Sequence, residues 1–299
     1  MSTSLTVLET GLLTTVQDAG RPGRAALGVG RSGACDLASY RLANRLVGND
    51  EGAPALEVTY GGLRVRAEGD VVVVTTGARC EGAGHHNAPR VLRSGAELGL
   101  GAPLGGLRTY VAVRGGLAVD PVLGSCATDT LSGLGPAVLA AGDLLGVGPP
   151  HLPMPGVDLA PVRDPEAGGV TVRVHAGPRR DWFPDEAWRA LLRRPWTVTA
   201  ESNRVGLRLE GETLARHGSD ELPSEGLVRG ALQVPPSGRP VLFLADHPVT
   251  GGYPVIAYVD DADVDRCGQL RPGQELLLRE ARVGDVSSGS SGSPRRSPS

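Results

Sequence analysis

Residues 243–254 read FLADHPVTGGYP and place an acid, an imidazole and a glycine pair directly after an apolar strand. Asp246 and His247 are residue types that act as general acids and bases. Thr250 and the two glycines after it offer a hydroxyl and successive backbone N–H groups, which in a turn cradle an oxyanion or a phosphate oxygen. The stretch therefore predicts an acid–base pair beside an anion-binding turn.

The same residues also fit an ordinary hairpin, with Asp246 capping the turn and His247 in solvent. Consecutive side chains of a strand point to opposite faces, so Asp246 and His247 enter one cavity only if the strand has already turned. Pro248 supplies such a turn. Residue types alone leave the functional and the structural interpretation open.

Two further polar stretches carry candidate ligands. Asp18 and Arg21 lie in TVQDAGRPG, a loop rich in Gly and Pro, where they either position a polar ligand or pair with each other. We favour the ion pair, because an arginine fork readily binds a local carboxylate. In SNRVGLRLEG, Asn203 and Arg204 precede a predicted strand in which Arg208 points outward, so Arg204 is the better ligand candidate.

No metal site is predicted. The four cysteines are scattered without a CxxC pair, which predicts buried, reduced thiols rather than a zinc site. The adjacent His85 and His86 have no carboxylate or cysteine at ligand spacing, which favours a loop role for both.

The composition excludes several chemistries. All 30 basic residues are arginine, so the chain has no lysine for a Walker A loop, a Schiff base or a biotin attachment, and ATP or biotin chemistry requires a partner chain. A net charge of -3 argues against nucleic acid. The longest apolar runs are far shorter than the roughly 20 residues of a membrane span, and no signal peptide is seen, so we expect a cytoplasmic protein.

The elements that position these residues are mainly strands. Forty-four Gly and 24 Pro punctuate short apolar runs. The predicted strands are Val71–Thr75, Tyr110–Val113, Val170–His175, Val198–Ala200, Gly206–Leu209, Val241–Ala245 and Val255–Val259. The run VVVV from residue 71 predicts burial on both faces. A Gly-x-x-Leu-x-aliphatic pattern recurs at Gly95, Gly142 and Gly273, as expected where a turn glycine leads into a strand.

Two segments are predicted to be helical. One begins after Asp36 as N-cap and ends at Gly48. The other runs from about Pro184 to Leu192, opened by Asp181 and stopped by Pro195. The Pro- and Gly-rich stretch 149–169 separates two domains, 1–160 and 165–282, and a disordered tail is predicted over 283–299.

The motifs taken in order resemble a known family. They are TVQDAGRPG, GRSGACDLASYRLANRLVGN, PALEVTYGG, YVAVRGGL, DWFPDEA, SNRVGLRLEG, SEGLVRGALQVP and ADHPVTGGYP. The chain resembles the family of the 5-oxoprolinase C subunit over residues 5 to about 280. That family is also described as KipA, or as the biotin-dependent carboxyltransferase and allophanate hydrolase subunit 2 family. The resemblance implies two cyclophilin-like β-barrel domains in tandem, with a few short helices.

The resemblance also implies an activity and partners. Two further chains, a KipI-like B subunit and the 5-oxoprolinase A subunit, would complete an ATP-dependent enzyme that opens 5-oxo-L-proline to L-glutamate, with ATP shared among them. One alternative is carboxyl transfer from carboxybiotin, carried by a partner, to urea or another amide. Another is a non-catalytic protein that sequesters a KipI-like kinase inhibitor.

Under the first of these hypotheses, Thr250, Gly251 and Gly252 would hold the substrate oxygen or phosphate and Arg204 the substrate carboxylate. Asp246 or His247 would move the proton. Gln233 and Tyr253 are further contacts.

The sequence departs from the family pattern at three places. Cys126 and Ala127 stand where the family usually has Arg and Ser. Pro248 and Val249 replace the usual Gln-Thr before the Thr-Gly-Gly-Tyr stretch, and Gly135-Pro136 replaces a double glycine. If the family's arginine binds substrate, this chain must use another arginine or another substrate.

Overall fold

A computed structural model describes residues 3–218 and 222–281. Within those ranges the chain forms eighteen strands, three α-helices and two short 3-10 helices, so the prediction of a mainly β fold with a few short helices is confirmed. The tail predicted over 283–299 lies outside the described residues.

The first half of the chain forms two antiparallel sheets that enclose an apolar core. Its strands are β1 (Ser4–Thr10), β2 (Leu13–Gln17), β3 (Ala55–Thr59), β4 (Leu63–Glu68), β5 (Val71–Gly77), β6 (Arg90–Leu92), β7 (Glu97–Gly99), β8 (Arg108–Val113) and β9 (Leu144–Gly146). One sheet has the strand order β7-β4-β1-β9 and the other β2-β3-β8-β5-β6. Leu5 and Val65 of the first sheet and Val58 and Val111 of the second contribute to the shared core.

Strand β5 is buried on both faces, as its continuous valine run predicts. Val71 and Val73 join the core between the sheets. Val72 and Val74 pack on the opposite face, against helix α1 (Leu37–Leu46). The period-2 alternation of a strand explains why four consecutive valines serve two separate cores.

The described second half has nine strands, seven of which form a closed barrel. The nine strands are β10 (Val170–Ala176), β11 (Trp196–Val198), β12 (Gly206–Glu210), β13 (Glu225–Gly226), β14 (Ala231–Gln233), β15 (Val241–Phe243), β16 (Thr250–Gly251), β17 (Val255–Val259) and β18 (Glu275–Glu280). The barrel order is β10-β17-β14-β15-β12-β11-β18, and a parallel pairing of β10 with β18 closes it. Strands β13 and β16 form a separate two-stranded sheet.

The predicted glycine turns are confirmed. Gly95, Gly142 and Gly273 have φ angles of 80, 97 and 85° and closely precede β7, β9 and β18. A positive φ is accessible to glycine without the steric cost that a Cβ imposes, so each glycine turns the chain into its strand.

The helices follow the predictions with two corrections. Helix α1 begins after Asp36, whose carboxylate accepts a hydrogen bond from the Ser39 N–H at 2.9 Å, as expected of an N-cap. Helix α2 (Asp185–Arg193) begins directly after Pro184, which has an extended backbone. Asp181 lies in a separate 3-10 turn, so the prediction that it opens α2 is wrong.

A third helix, α3 (Asp261–Cys267), is the second correction, since the sequence pattern does not predict it. At seven residues it is too short to show an apolar period, and its first turn is acidic. The Asp260 carboxylate caps it by accepting from the Ala262 N–H at 3.1 Å. This helix packs against the barrel through Val264 and Cys267.

Residues 148–169 contain no strand or helix and connect β9 to β10. The division into two domains at 160 and 165 lies in this segment and stays a prediction. In the described part of the chain no helix is long and apolar enough to cross a membrane.

Candidate active site

Arg204 lies fully buried between the two halves of the chain and is saturated with acceptors. Its Nε and Nη2 donate to the two carboxylate oxygens of Asp246 at 2.9 and 3.0 Å. Its Nη1 donates to Glu57, and its Nη2 also donates to the Gly33 carbonyl at 2.7 Å. Because Glu57 and Gly33 belong to the first half, this guanidinium joins the halves.

The carboxylate of Asp246 is also fully hydrogen-bonded. Ser32 Oγ donates to it at 2.6 Å, and Thr130 donates through N at 2.9 Å and through Oγ1 at 2.7 Å. Burial raises the pKa of this carboxyl, but the Arg204 guanidinium and the hydroxyl donors outweigh burial and hold the pKa below its usual value. Asp246 is thus a fully hydrogen-bonded carboxylate, which makes it a weak proton acceptor.

Glu57 completes this interface network. Its Oε2 accepts from Tyr110 Oη at 2.7 Å and from the Cys35 N–H at 2.8 Å. Arg108 Nε lies 3.4 Å from Glu57 Oε1, and Arg108 Nη1 donates to the Gly268 carbonyl of the second half. Every member is nearly excluded from solvent.

A cleft of about 700 Å³ opens at the junction of the halves, within the size range of small-molecule sites. The 21–31 loop and the start of α1 form one wall, and segments near residues 228 and 248 form the other. Its charged lining residues are Arg21, Arg24, Arg31, Arg41, Arg229, Asp261 and Asp265. Five arginines against two aspartates give the cleft a marked positive charge, which favours an anionic ligand.

Arg21 is the most buried of the cleft arginines, with 1% of its surface exposed. Its Nη2 donates to the Ala127 carbonyl and its Nε to the Val122 carbonyl at 3.4 Å. Its Nη1 is buried with no hydrogen-bond partner within the described residues. An unpaired buried guanidinium N–H is costly in a native protein, which makes Arg21 Nη1 a candidate contact for an anion or a buried water.

The predicted Asp18–Arg21 ion pair is wrong. Asp18 accepts instead from Gly20 N at 2.7 Å, Ser125 Oγ at 2.6 Å and Cys126 N at 2.6 Å. One local donor and two donors distant in the chain occupy its carboxylate, and Asp18 thereby holds the 125–126 loop beside Arg21.

His247 also lines the cleft, with 8% of its surface exposed. Its Nδ1 lies 2.8 Å from the Pro248 carbonyl, which only accepts, so Nδ1 carries the proton and Nε2 has the free lone pair. Nε2 makes no hydrogen bond within the described chain. Burial lowers the pKa of His247 below its usual value, so the imidazole is neutral near pH 7 and Nε2 can accept a proton.

The Thr-Gly-Gly stretch does not form the predicted anion-binding turn. Thr250 and Gly251 are extended in β16, and neither Gly251 nor Gly252 has a positive φ. A Cβ at Gly251 would lie 2.7 Å from Gln233 Nε2 and 2.8 Å from Leu227 Cδ1, so the glycine leaves room for these two side chains. Gln233 in turn donates from Nε2 to the Tyr253 carbonyl at 2.8 Å.

Of the eleven residues predicted for the site, the cleft contains only Arg21 and His247. Asn203 lies outside the cleft, and its Oδ1 accepts from the Val205 N–H at 2.8 Å within a turn. Arg208 points outward as predicted. The remaining predicted residues lie in the interface network, in the Asp18 loop or along β14 and β16.

Sequence reasoning missed four of the cleft arginines. Arg24, Arg31, Arg41 and Arg229 occupy loops or a helix surface, where arginine is common and carries no signal. One sequence feature did point to these arginines. Arginine recurs in GRPGRAALGVGR, a segment with too few apolar residues to form a buried strand or an α-helix.

The departures from the family pattern leave the anchoring of Arg21 intact. Cys126 acts on Asp18 through its backbone N–H, and Ala127 acts on Arg21 through its carbonyl. The Cys126 side chain packs into the core of the first half. Pro248 likewise orients His247 through its carbonyl. Any side chain at these positions can make the same backbone contacts.

Among the described residues, no three His, Cys, Asp or Glu side chains are grouped to hold a metal ion. His86 is buried, with Nδ1 3.2 Å from Thr75 Oγ1 and Nε2 3.1 Å from the Gly77 carbonyl. Both ring nitrogens are therefore committed to the protein itself.

Similarity to known proteins agrees with this architecture. The chain is 39% identical over 288 residues to the C subunit of 5-oxoprolinase from Escherichia coli, covering 91% of this chain and 89% of that protein. The crystal structure of TTHA0988 matches with a TM-score of 0.83 and 40% identity, over 92% of this chain but only 55% of that one. The K. lactis urea amidolyase structure matches with a TM-score of 0.84 and 29% identity, over 92% of this chain and 18% of that one. A model of the carboxyltransferase domain, subdomain A and B, matches residues 27–280, and the chain belongs to this family.

Proposed function

We propose that this chain is the C subunit of an ATP-dependent 5-oxoprolinase, which opens 5-oxo-L-proline to L-glutamate. The observation that carries the proposal is the arginine cleft, in which Arg21 has a buried N–H without a partner among the described residues and His247 has a free Nε2. The 39% identity to the C subunit of E. coli 5-oxoprolinase supports it.

The chemistry of the reaction suits this cleft. A five-membered cyclic amide is a poor electrophile, and ATP supplies the phosphoryl group that activates its carbonyl oxygen. The substrate carboxylate and the phosphate oxygens are anions that arginine forks bind in a bidentate manner. Because the chain has no lysine, we assign the nucleotide's Walker-type contacts to the partners, which are a KipI-like B subunit and the 5-oxoprolinase A subunit. We place the complex in the cytoplasm, where the four free cysteines stay reduced.

We assign distinct roles to the side chains around the cleft. Arg21 and Arg229 hold the substrate carboxylate, while Arg24 and Arg31 at the exposed rim attract the phosphate. His247 Nε2 takes the proton from the attacking water. Asp246 is a positioning residue: its bonds to Arg204 fix the chain immediately before His247.

The test is reconstitution of the chain with its genomic neighbours and measurement of glutamate formed from 5-oxoproline and ATP. We expect ATP-dependent turnover that requires this chain and drops about 100-fold when His247 is replaced by Ala. The matched control is Arg208→Ala, an exposed arginine outside the cleft. Absence of glutamate with all three chains present would overturn the proposal.

A second candidate is carboxyl transfer from carboxybiotin to urea or a related amide. The match to the carboxyltransferase family model and to the K. lactis urea amidolyase structure favours it. It requires a biotinylated partner, since this chain has no lysine to carry biotin. Co-purification of an avidin-reactive partner, together with bicarbonate-dependent ATP hydrolysis in the presence of urea, would favour this candidate over the first.

A further inference from the structure

Asp18 is a buried carboxylate with 7% of its surface exposed, and it makes no ion pair within the described residues. Its Oδ1 accepts from the Gly20 N–H at 2.7 Å and from Ser125 Oγ at 2.6 Å, and its Oδ2 accepts from the Cys126 N–H at 2.6 Å. A buried charge is costly unless such hydrogen bonds compensate it. The donors belong to two segments that are far apart in the chain, and Asp18 ties these segments together.

The bond from Gly20 holds the backbone end of Arg21. Gly20 directly precedes Arg21 and has a φ of 84°, which glycine adopts without steric cost. A Cβ at Gly20 would lie 2.6 Å from the carbonyl oxygens of Arg31 and Ser32, so the two stretches of chain are closely packed. The Arg21 N–H donates to the Arg31 carbonyl at 2.8 Å. The Asp18 side chain thus fixes the point from which the arginine side chain extends.

The other two donors hold the guanidinium end of Arg21. They lie in the 122–127 turn, in which the Val122 N–H donates to the Ser125 carbonyl at 2.9 Å and the Ala127 N–H donates to Ser125 Oγ at 3.1 Å. The carbonyls of Val122 and Ala127 accept from Arg21 Nε, at 3.4 Å, and from Nη2. The turn that Asp18 secures therefore carries both acceptors of the guanidinium.

Close packing on a further side leaves the guanidinium little room to move. Gly135 has a φ of 87°, and a Cβ there would lie 2.1 Å from the Ala127 carbonyl oxygen and 3.2 Å from Arg21 Nη2. With Nε and Nη2 engaged, Nη1 is the guanidinium nitrogen without a partner among the described residues. The position of Nη1 is thus set by the backbone at Gly20 and by the 122–127 turn, and the Asp18 carboxylate binds both.

We propose that Asp18 is a positioning residue of the arginine cleft. It does not touch the substrate; it sets where Arg21 presents Nη1 to the substrate carboxylate. This inference rests on the 5-oxoprolinase activity proposed above. Position matters because a guanidinium binds a carboxylate through directional hydrogen bonds, so a displaced guanidinium binds it less tightly.

Asp18→Asn in the reconstituted complex tests this role. Asparagine keeps the size of the side chain but has one acceptor oxygen, so in either orientation its NH₂ group faces a backbone N–H, that of Gly20 or that of Cys126. We expect KM for 5-oxoproline to rise about tenfold and kcat to change by less than about threefold, because substrate binding is lost and the chemical step is not.

A double-mutant cycle with Arg21→Gln separates positioning from a general loss of structure. Arg21→Gln alone should lower kcat/KM about tenfold or more. Adding Asp18→Asn to Arg21→Gln should lower it by less than about twofold further, because the residue through which Asp18 acts is already gone. A merely structural role would give the same tenfold loss in both backgrounds.

Asp143→Asn is the matched control, because Asp143 also secures a turn, by accepting from the Ala140 N–H at 2.8 Å, and does not line the cleft. It should leave KM unchanged. Thermal melting shows whether each variant is folded. If Asp18→Asn is not, Ser125→Ala takes its place in the cycle: it removes one donor to Asp18, and we expect KM to rise about threefold only when Arg21 is present.

Equal losses in the two backgrounds, or an unchanged KM in the folded variant, would overturn the role of Asp18 and leave the proposed activity standing. Absence of glutamate from the complex with the unmodified chain would overturn the activity and this role together. The two failures are therefore distinguished by the unmodified complex.

Discussion

The interface network and the cleft use the same residue type for opposite purposes. Arg204 in the network has every guanidinium nitrogen engaged by Asp246, Glu57 or a carbonyl. Arg21 in the cleft has a buried Nη1 with no partner, and Arg31 makes no ion pair within the described residues. The difference indicates that Arg204 joins the two halves of the chain, whereas Arg21 keeps one N–H without a protein partner among the described residues.

Asp246 and His247 are adjacent in the chain, but Asp246 belongs to the interface network and His247 belongs to the cleft. Asp246 turns into the interface and is enclosed by donors from both halves, while His247 faces the cleft with Nε2 free. Strand β15 ends at Phe243 and the chain turns at Ala245 and Asp246, and this turn directs the two neighbouring side chains into different regions.

The largest effect is expected from Arg204→Leu, which leaves the buried Asp246 carboxylate without a cation and leaves Glu57 with Arg108 alone. We expect the free energy of unfolding to fall by about 3–5 kcal/mol, because an uncompensated buried charge is strongly destabilising. Urea denaturation followed by fluorescence of the buried Trp196 measures it.

Arg208→Ala is the control for that experiment. Arg208 lies four residues along the chain and reaches only Glu201, at 3.7 Å, with both side chains largely exposed. Its loss should change stability by no more than about 0.5 kcal/mol. A loss below about 1 kcal/mol for Arg204→Leu would contradict the structural role of the network.

His247→Gln tests the cleft side of the comparison. We expect kcat of the reconstituted complex to fall about 100-fold, because the proposed general base is removed. Stability should change little, since His247 makes one hydrogen bond, to the adjacent carbonyl. Circular dichroism melting and glutamate formation measure the two quantities.

In contrast to His247→Gln, Asp246→Asn should clearly lower the melting temperature. If instead it lowered kcat strongly and left the melting temperature unchanged, Asp246 would act in proton transfer and our assignment to the interface would be wrong.

How much of the fold and of the candidate site could be predicted from the sequence depends on whether the interactions join neighbouring or distant residues of the chain. The valine run of β5, the Asp36 cap and the glycine turns depend on neighbouring residues, and local pattern was sufficient for them. The divergence of Asp246 and His247 does not follow from strand geometry, because β15 ends at Phe243 and Asp246 lies in a turn. Which of the two faces the cleft is also not a local matter, because the donors to Asp246 come from Ser32 and Thr130, distant in the chain.

The cleft could not be predicted either, because it also depends on residues that are distant in the chain. Its arginines lie at positions 21, 24, 31, 41 and 229, and only the folded chain brings the last beside the others. The double glycine suggested a turn, but Gly251 lies in β16 and approaches the Gln233 side chain, a contact with a residue on another strand.

Arg31→Ala should give a smaller effect. Arg31 is exposed on the cleft rim, so we expect KM for the anionic substrate to rise about threefold to tenfold with little change in kcat. The rise should shrink as salt increases, because exposed charges are screened. Initial rates at two salt concentrations measure it, and Arg208→Ala again serves as control; a salt-independent rise would point to a structural effect instead.

The smallest expected effect is a difference in the pH dependence of stability between His247 in the cleft and Asp246 in the interface network. The folded-state pKa of His247 is lowered, so the unfolded chain binds its proton first, and stability is lost as pH falls from about 6.5 through the folded-state pKa. The pKa of Asp246 is also lowered, but its contribution persists until pH falls below about 3.9. Between pH 7.5 and 5, His247→Gln should therefore lose less melting temperature than the unmodified chain, whereas Asp246→Asn should stay below it by a nearly constant amount. A difference that varied with pH in this window for Asp246→Asn would mean that its carboxyl titrates there and is not held by Arg204.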